Sequence, residues 1–516
     1  MAQGEAVRDE VRQGGAAQGE AVGPERLATG IAGLDEIVQG GLIRRGIYLV
    51  GGRPGTGKTT LANHMAFNHA AAGGNAIFAT VLAETHGRML THLSGFAFFD
   101  AEQVANRVHY VSIYDQLNQE GLRGVLDLLR RQVREHRATL LAIDGAGLFG
   151  EFAASPLEYR RFAYELHAQL GSLGCTVLLL MEYEAQDQNP IAAHVDGIIV
   201  LEDEHAGLRD TRILHVLKLR GSNYLRGRHS FEITGTGVEV YPRLEALLTD
   251  ASTPHPPVRR DRKATGVAGL DDMLRGGVLV TSSTLVLGAL GAGKTVTGLH
   301  FIVEGARRGE RGLIVSFNEP PPRLIAKADA IGLDLGGHVA NGTVKILWRP
   351  PQELLMDAWG RDLLAFVAEH EPRRLFLDAV TDLQRLASFA DRLPAFLAAL
   401  TAELRARDVT SLLAAEFNTL LGDDLDVPVP AVASTAENVV LLRYVELRSQ
   451  LHRLISILKV RESDYDTSIR EFLITPDGID VAGSFESAEA VLTGVTRQVA
   501  ARSGGQGART RGQAAP

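Results

Sequence analysis

Short, unbroken apolar runs recur along this chain, and longer stretches with helical periodicity separate them. The first half carries IYLV (47–50), NAIFATVL (75–82), TLLAID (139–144) and CTVLLLME (175–182). The second half carries TLVL (284–287), GLIVSF (312–317), RRLFLD (373–378) and VTSLLAAE (409–416). Runs this short and this uniformly apolar predict strands buried on both faces. Their alternation with amphipathic segments predicts a parallel sheet covered by helices on each side. Each half closes on a β-rich stretch, residues 213–241 and 454–481.

The two halves are copies. ATGIAGLDEIVQGGL (28–42) recurs as ATGVAGLDDMLRGGV (264–278), an offset of 236 residues. The pattern predicts an α/β protein of two tandem lobes, residues 26–246 and 264–497, each with a mostly parallel central sheet. The segment 247–263 combines prolines with a charge cluster and reads as a linker. Residues 1–25 and the Arg-containing tail 498–516 read as disordered.

Composition narrows the function classes. A hydrophobic content of 45% and a charged content of 22% are those of a soluble globular protein, and the net charge is −9. No global basic field draws such a chain onto nucleic acid, although a local basic surface is compatible with that balance. No apolar run approaches the roughly 18–20 residues needed to span a bilayer. The first 25 residues include Glu5, Asp9, Glu10, Glu20 and Glu25 without an apolar core, which does not fit a secretory signal. Cys175, the one cysteine, opens an apolar run and reads as a core thiol, so neither a disulfide framework nor a cysteine zinc site fits within one chain. These features predict a cytoplasmic protein.

Two phosphate loops of the form G-x4-G-K-[ST] follow the first strand of each lobe. In lobe one the candidate nucleotide-binding residues are Gly52, Gly55, Thr56, Gly57, Lys58, Thr59 and Thr60. In lobe two they are Gly288, Gly291, Ala292, Gly293, Lys294, Thr295 and Val296. The glycines let successive backbone N–H groups turn toward phosphate. The lysine reaches the β and γ phosphates, and the threonine hydroxyl ligates Mg²⁺. Two such loops at the repeat offset predict two nucleoside triphosphate sites, with ATP and Mg²⁺ as cofactors.

Several charged residues occupy matching places in the lobes. Asp144 and Asp378 each end a buried strand, where a carboxylate meets Mg²⁺-bound water or the loop threonine, or else caps the next helix. Glu84 and Glu319 follow the second strands, at the carboxyl edge where open α/β sheets place their ligand crevice. There a glutamate aligns or deprotonates the attacking group, or is a surface residue of a turn. Glu182 and Glu416 end the fourth strands and act as sensors or fix the loop. Lys218 and Arg220 lie two apart on a predicted strand and so share a face, and Lys459 and Arg461 repeat the spacing. Two cations on one face need an anionic partner. That partner is either a carboxylate of the same chain or the nucleotide phosphate of a neighbouring subunit, contacted in the manner of an arginine finger.

The tandem lobes, the repeated openings, the LKLRG segment (217–221) and IREFLITPDGIDVAGSFESAEAVLTG (469–494) together resemble the KaiC and KaiC-like family of circadian-clock ATPases. The resemblance covers about residues 26–497. It implies RecA-like lobes stacked as two rings in an ATP-dependent homohexamer, with nucleotide between subunits. Lys218, Arg220, Lys459 and Arg461 would then be the elements acting across the interface. It further implies a slow ATPase in the N-terminal ring, Ser/Thr autokinase and autophosphatase activity in the C-terminal ring, and Kai-type protein partners. Two positions depart from the family pattern. Its adjacent glutamate pair is Ala83-Glu84 in lobe one and Asn318-Glu319 in lobe two. Its Ser-Thr phosphosite falls near AVASTAENVVLLRYVE (431–446). Alignment on LLRYVE places Ser434 at the threonine position, with Thr435 one residue on; sliding the gap by one matches Ser434-Thr435 to the pair. These hydroxyls are either phosphoacceptors or ordinary loop residues. Two other functions fit the motifs: a RecA- or RadA-like DNA-dependent ATPase, and a nucleotide-dependent scaffold with little catalysis.

Overall fold

The computed structural model describes residues 24–81, 86–183, 190–206, 209–247, 259–350, 355–386, 390–417, 435–447 and 449–484. The predicted tails lie largely outside these residues, as do Glu84 and Ser434. The chain divides into two compact units, residues 1–247 and 248–516.

In the first unit the order is β1 (Arg26–Leu27), α1 (Ala32–Ile37), β2 (Leu42–Ile43), β3 (Ile47–Gly52), α2 (Lys58–Ala71), β4 (Ala76–Thr80) and α3 (His86–Leu93). Then follow β5 (Val108–Ser112), α4 (Tyr114–His136), β6 (Leu140–Asp144), α5 (Phe149–Phe152), α6 (Pro156–Ser172) and β7 (Thr176–Met181). The unit closes with β8 (Gly197–Ala206), β9 (Arg209–Leu219), β10 (Arg228–Thr234), β11 (Gly237–Tyr241) and α7 (Leu244–Leu247). Its nine-stranded sheet runs β11-β10-β9-β8-β3-β7-β6-β4-β5. The strands from β8 to β5 are parallel, and β9, β10 and β11 extend the sheet antiparallel.

The second unit repeats this order. It opens with β12 (Arg262–Lys263), α8 (Ala268–Met273), β13 (Val278–Leu279), β14 (Ser283–Gly288), α9 (Lys294–Arg307), β15 (Gly312–Ser316), α10 (Pro321–Asp329) and α11 (Leu335–Ala340). Next come β16 (Val344–Trp348), α12 (Met356–His370), β17 (Arg374–Asp378), α13 (Val380–Leu386), α14 (Leu393–Ala406) and β18 (Thr410–Glu416). The last strands are β19 (Asn438–Leu447), β20 (Gln450–Val460), β21 (Arg470–Thr475) and β22 (Gly478–Ser484). The sheet order is β16-β15-β17-β18-β14-β19-β20-β21-β22. The α/β architecture with mostly parallel central sheets is therefore present in both units.

The apolar runs form strands because each face of the sheet has a core to fill. In β3, Tyr48 and Val50 pack into one apolar cluster while Ile47 and Leu49 pack into the other. This is the period-two alternation of a strand sandwiched between helices. The repeated opening motif is architectural. Asp35 accepts from the Thr29 and Gly30 amides at 2.8 and 3.1 Å, and Asp271 accepts from the Thr265 amide at 2.6 Å. The glycine before each Leu-Asp sits against the last strand of its sheet, where a Cβ would lie 1.9 Å from Val240 O or 2.6 Å from Val481 Cβ. Arg262 and Lys263, at the end of the segment read as linker, form β12, and Lys263 is buried against Glu310.

Candidate functional site

The strand before each phosphate loop, β3 or β14, is central in its sheet, so the loop emerges at mid-sheet and at the carboxyl edge. Gly52 pairs with Leu201, and Gly288 pairs with Glu416, at that edge. Gly57 and Gly293 cap the helices that follow, at φ +99° and +110°, a region that favours glycine. Gly55 and Gly291 also have positive φ, +86° and +73°. Thr56 and Ala292 are buried, and their backbone N–H groups donate within the loop, to the Arg53 carbonyl at 3.4 Å and the Ala289 carbonyl at 3.2 Å. Thr60 lies in the first turn of α2, and Val296 lines the cavity of lobe two.

The loop lysines fold back onto their own loops. Lys58 Nζ donates to the Gly52 and Arg53 carbonyls, each at 2.8 Å. Lys294 Nζ donates to the Gly288 and Ala289 carbonyls at 3.0 and 2.8 Å, and also to Glu416 Oε1 at 3.1 Å. Burial lowers the Lys58 pKa, and the charges of Asp144 and Glu182 oppose that shift. The threonines meet the strand-end aspartates in both lobes. Thr59 Oγ1 donates to Asp144 Oδ2 at 2.7 Å, and Thr295 Oγ1 donates to Asp378 Oδ2 at 2.7 Å. Burial pushes the Asp378 carboxyl up to about 6, and the nearby charge of Glu319 adds to the shift. The Thr295 hydrogen bond and the charges of Lys327 and Lys294 pull it down.

Lobe two holds a cavity of about 720 Å³ beside its loop. Lys294, Thr295, Asp378, Glu319 and Glu416 face it at one end, and Ala330, Ile331 and Ile474 supply an apolar portion. Two residues of this wall escaped the sequence reading. Lys327, on α10, donates to Glu319 Oε1 at 2.5 Å. Asp382, buried on α13, accepts from Asn318 Nδ2 at 2.5 Å. The signal for Asp382 was an acid inside an otherwise apolar helix start; Lys327 looked like any cation on an amphipathic helix.

The strand-borne cations lie elsewhere. Lys218 Nζ donates to the Ala192 and Ala193 carbonyls at 3.1 and 3.2 Å, and Arg220 Nη2 donates to the Ala193 carbonyl at 3.2 Å. Burial and the charge of Arg220 lower the Lys218 pKa, with Asp196 opposing. Lys459 Nζ donates to the Ala436 carbonyl at 2.7 Å, and its pKa is lowered by burial and by Arg461. The backbone fixes their level. The Arg220 amide bonds Asp196 O, and the Asp196 amide bonds Ile47 O, at the amino end of β3. Likewise the Arg461 amide bonds Glu437 O, and the Glu437 amide bonds Ser283 O, at the amino end of β14. Each pair therefore sits a strand's length, about 17 Å at ~3.3 Å per residue, from the end that carries its own phosphate loop. Thr435 lies next to this amino-end cluster, two residues before Glu437.

The model of the ATPase family described as KaiC matches residues 27–245 and again residues 263–486. The chain belongs to the KaiC ATPase family. The circadian clock oscillator protein KaiC of Picosynechococcus sp. is 27% identical over 501 residues, which cover 93% of each chain. Circadian clock oscillator protein KaiC 1 of Synechocystis sp. is 27% identical over 491 residues, 92% of each chain. The KaiC of Synechococcus elongatus is 26% identical over 483 residues, 91% of each chain. The two nine-stranded sheets are thus the tandem RecA-like lobes of a KaiC-family ATPase. Among the described residues no helix is long and apolar enough to cross a membrane.

Proposed function

We propose that each lobe binds Mg·ATP at its phosphate loop and hydrolyses it, with the sites at subunit interfaces of a homohexamer. The observation that carries the reading is the duplicated cradle. In both lobes the loop lysine is folded over the loop and the threonine is bonded to a strand-end aspartate at 2.7 Å. Lys58 and Lys294 neutralise the β and γ phosphates, and the apolar portion formed by Ile331 and Ile474 seats the base in lobe two. The Thr and Asp oxygens of each cradle are the hard donors that fit Mg²⁺. Among the described residues no cluster of three or more His, Cys, Asp or Glu forms an all-protein cage, in keeping with an ion that takes most of its ligands from phosphate and water. Thr59 with Asp144, and Thr295 with Asp378, would hold the ion, which neutralises charge that develops on the phosphates. Glu84 and Glu319 align the attacking hydroxyl or water.

The placement of the cations supports their action in trans. The hydrogen bonds of Lys218 and Arg220 go to neutral carbonyls, and Asp196 is the carboxylate whose charge reaches Lys218, so two adjacent cations face one nearby anion at the far end of the sheet from their own loop. A neighbouring subunit's phosphate is the anion that suits them, and Lys459 and Arg461 have the same placement in lobe two. Thr435, near that amino-end cluster, is a candidate phosphoacceptor for a neighbour's nucleotide, together with Ser434. From the relatives' name we also carry over, as part of this proposal, a timing or signalling role with Kai-type partners.

Light scattering of the full chain with and without ATP tests the assembly, alongside nucleotide counting. Wild type is expected to form hexamers with nucleotide on both loops, and Lys58→Ala and Lys294→Ala each to empty one. Hexamers that persist without nucleotide in the double variant count against the interface sites. Phosphopeptide mapping after incubation with Mg·ATP tests the kinase; phosphate on Ser434 or Thr435 in wild type and not in Glu319→Gln is the expected result. Asn318, an amide beside Glu319, favours a second reading, a nucleotide-dependent scaffold. Turnover equal in wild type and Glu319→Gln would support that reading.

A further inference from the structure

Beyond the end of β15, Asn318 and Glu319 face the lobe-two cavity side by side, and each is held by a different helix. Asp382 of α13 anchors Asn318, and Lys327 of α10 anchors Glu319, both at 2.5 Å. Lys327 lines the same cavity, and its charge reaches Asp378. Among the described residues its hydrogen-bond partner is Glu319, not the phosphate loop. The lobes align closely here. Arg88, Met89 and Leu93 match Arg323, Leu324 and Ala328, and the last two of each set are buried. In that register the place of Lys327 is taken in lobe one by His92, so the lysine belongs to lobe two alone.

We propose that Lys327 is the positioning residue for Glu319, setting the carboxylate for reaction in lobe two. The inference rests on the reading of this cavity as a nucleoside triphosphate site. A triphosphate entering the cavity brings several negative charges toward a glutamate with three free torsions. Unanchored, that carboxylate turns away from the incoming phosphates toward solvent. The ammonium holds it at the wall and offsets its charge, so that glutamate and γ phosphate can share the space. Lys327 thus acts through Glu319 and does not itself bind phosphate.

The test is a double-mutant cycle on Mg·ATP turnover in the full chain, with wild type, E319Q, K327M, K327R and K327M/E319Q. The fall from wild type to E319Q defines the lobe-two share. K327M is expected to lose at least tenfold of that share in kcat, with KM for ATP changed less than threefold. K327R should stay within threefold of wild type, and the double variant should match E319Q. The proposal is overturned by K327M at the wild-type rate, by losses that add to those of E319Q, or by a tenfold rise in KM with kcat held. E319Q at the wild-type rate overturns it too, since there is then nothing to position. Should K327M fold poorly by thermal melting, Lys327→Gln in both backgrounds gives the same comparison. Binding of a non-hydrolysable ATP analogue to a Lys58→Ala chain separates the two layers. No binding at the second loop sinks the nucleotide reading itself. Intact binding with an additive cycle sinks the role of Lys327 alone.

Discussion

Alanine at Gly293 should cost lobe two more than alanine at Gly57 costs lobe one. Both glycines cap the phosphate-loop helix, at φ +110° and +99°. A left-handed conformation costs an L-residue roughly 1–2 kcal/mol, and this part is common to both lobes. The neighbours differ. A Cβ on Gly57 would come 2.5 Å from Ile233 Cδ1, the free end of a side chain that can rotate aside. A Cβ on Gly293 would meet Phe472 Cε1 at 2.7 Å and Cζ at 3.1 Å, with Ile474 Cδ1 at 3.2 Å. Phe472 is fully buried, so its ring has nowhere to go. Overpacking of that kind adds about 1–3 kcal/mol. G57A should therefore cost about 1–2 kcal/mol and G293A about 2–5 kcal/mol. The excess corresponds to a roughly 5- to 150-fold greater opening of lobe two, at about 1.4 kcal/mol per factor of ten. Native-state hydrogen exchange on the full chain reads the lobes separately, through the amides of α2 and α9. If α9 in G293A loses no more protection than α2 in G57A, the hairpin β21–β22 does not constrain the loop as argued.

Other outcomes follow from the same geometry. Burial lowers the pKa of His64 and His300, and each ring accepts a hairpin amide: His64 Nδ1 from Val238 at 3.1 Å and His300 Nε2 from Ile479 at 3.2 Å. A lowered histidine pKa gives stability that is present above the unfolded value near 6.5 and lost as pH falls through the folded value. Protection of the Val238 and Ile479 amides, corrected for the slower intrinsic exchange at acid pH, should therefore fall between pH 7.5 and 5.5, and His64→Gln with His300→Gln should flatten that fall; an unchanged slope refutes the assignment. Mixing the Lys294→Ala chain with the Lys459→Ala/Arg461→Ala chain should restore lobe-two turnover through interfaces that join an intact loop to intact cations, whereas no recovery in confirmed mixed hexamers excludes trans action. Glu416 holds Lys294 in the place a phosphate would take, but its side chain is 39% exposed, so solvent screens the pair and the competition is worth about 1 kcal/mol. Glu416→Gln should tighten ATP-analogue binding at the second loop about three- to tenfold by calorimetry, and weaker binding would mean that Glu416 supports the loop instead.

The cradle was legible because each of its parts leaves a local mark. Asp144 lies 85 residues from Thr59, yet both could be placed, one by the loop motif and the other by its position at the end of an apolar run. The strands at the parallel edge, β5 and β16, left no such mark. Each has one sheet neighbour and is only partly buried along its length, so VHYVS and VKILW are neither uniformly apolar nor cleanly alternating. Nor did β8 and β19 declare themselves, because both run on past the buried part of the sheet into charged residues. Lys327 and Asp382 were hidden for a different reason. Their chemistry comes from helices that fold back over the strand end, a tertiary contact with no fixed spacing that a motif could record.

That difference bears on how far a duplicated motif implies duplicated chemistry. Lys58 is half-buried, and the described hydrogen bonds of its ammonium go to loop carbonyls. Lys294 is buried and already carries a carboxylate, so a triphosphate entering lobe two displaces a direct ion pair, whereas Lys58 feels Asp144 and Glu182 only as nearby charges. Glu319 is likewise tied before nucleotide arrives, and its neighbour is an amide anchored to a buried acid. Among the described residues, every charged group of the lobe-two cavity thus has a partner in the ligand-free arrangement, and a bound triphosphate would displace the Lys294–Glu416 pair while leaving Lys327 on Glu319. Equal loops in the sequence are therefore compatible with unequal sites, and the difference in pairing resides in residues that lie outside the loops.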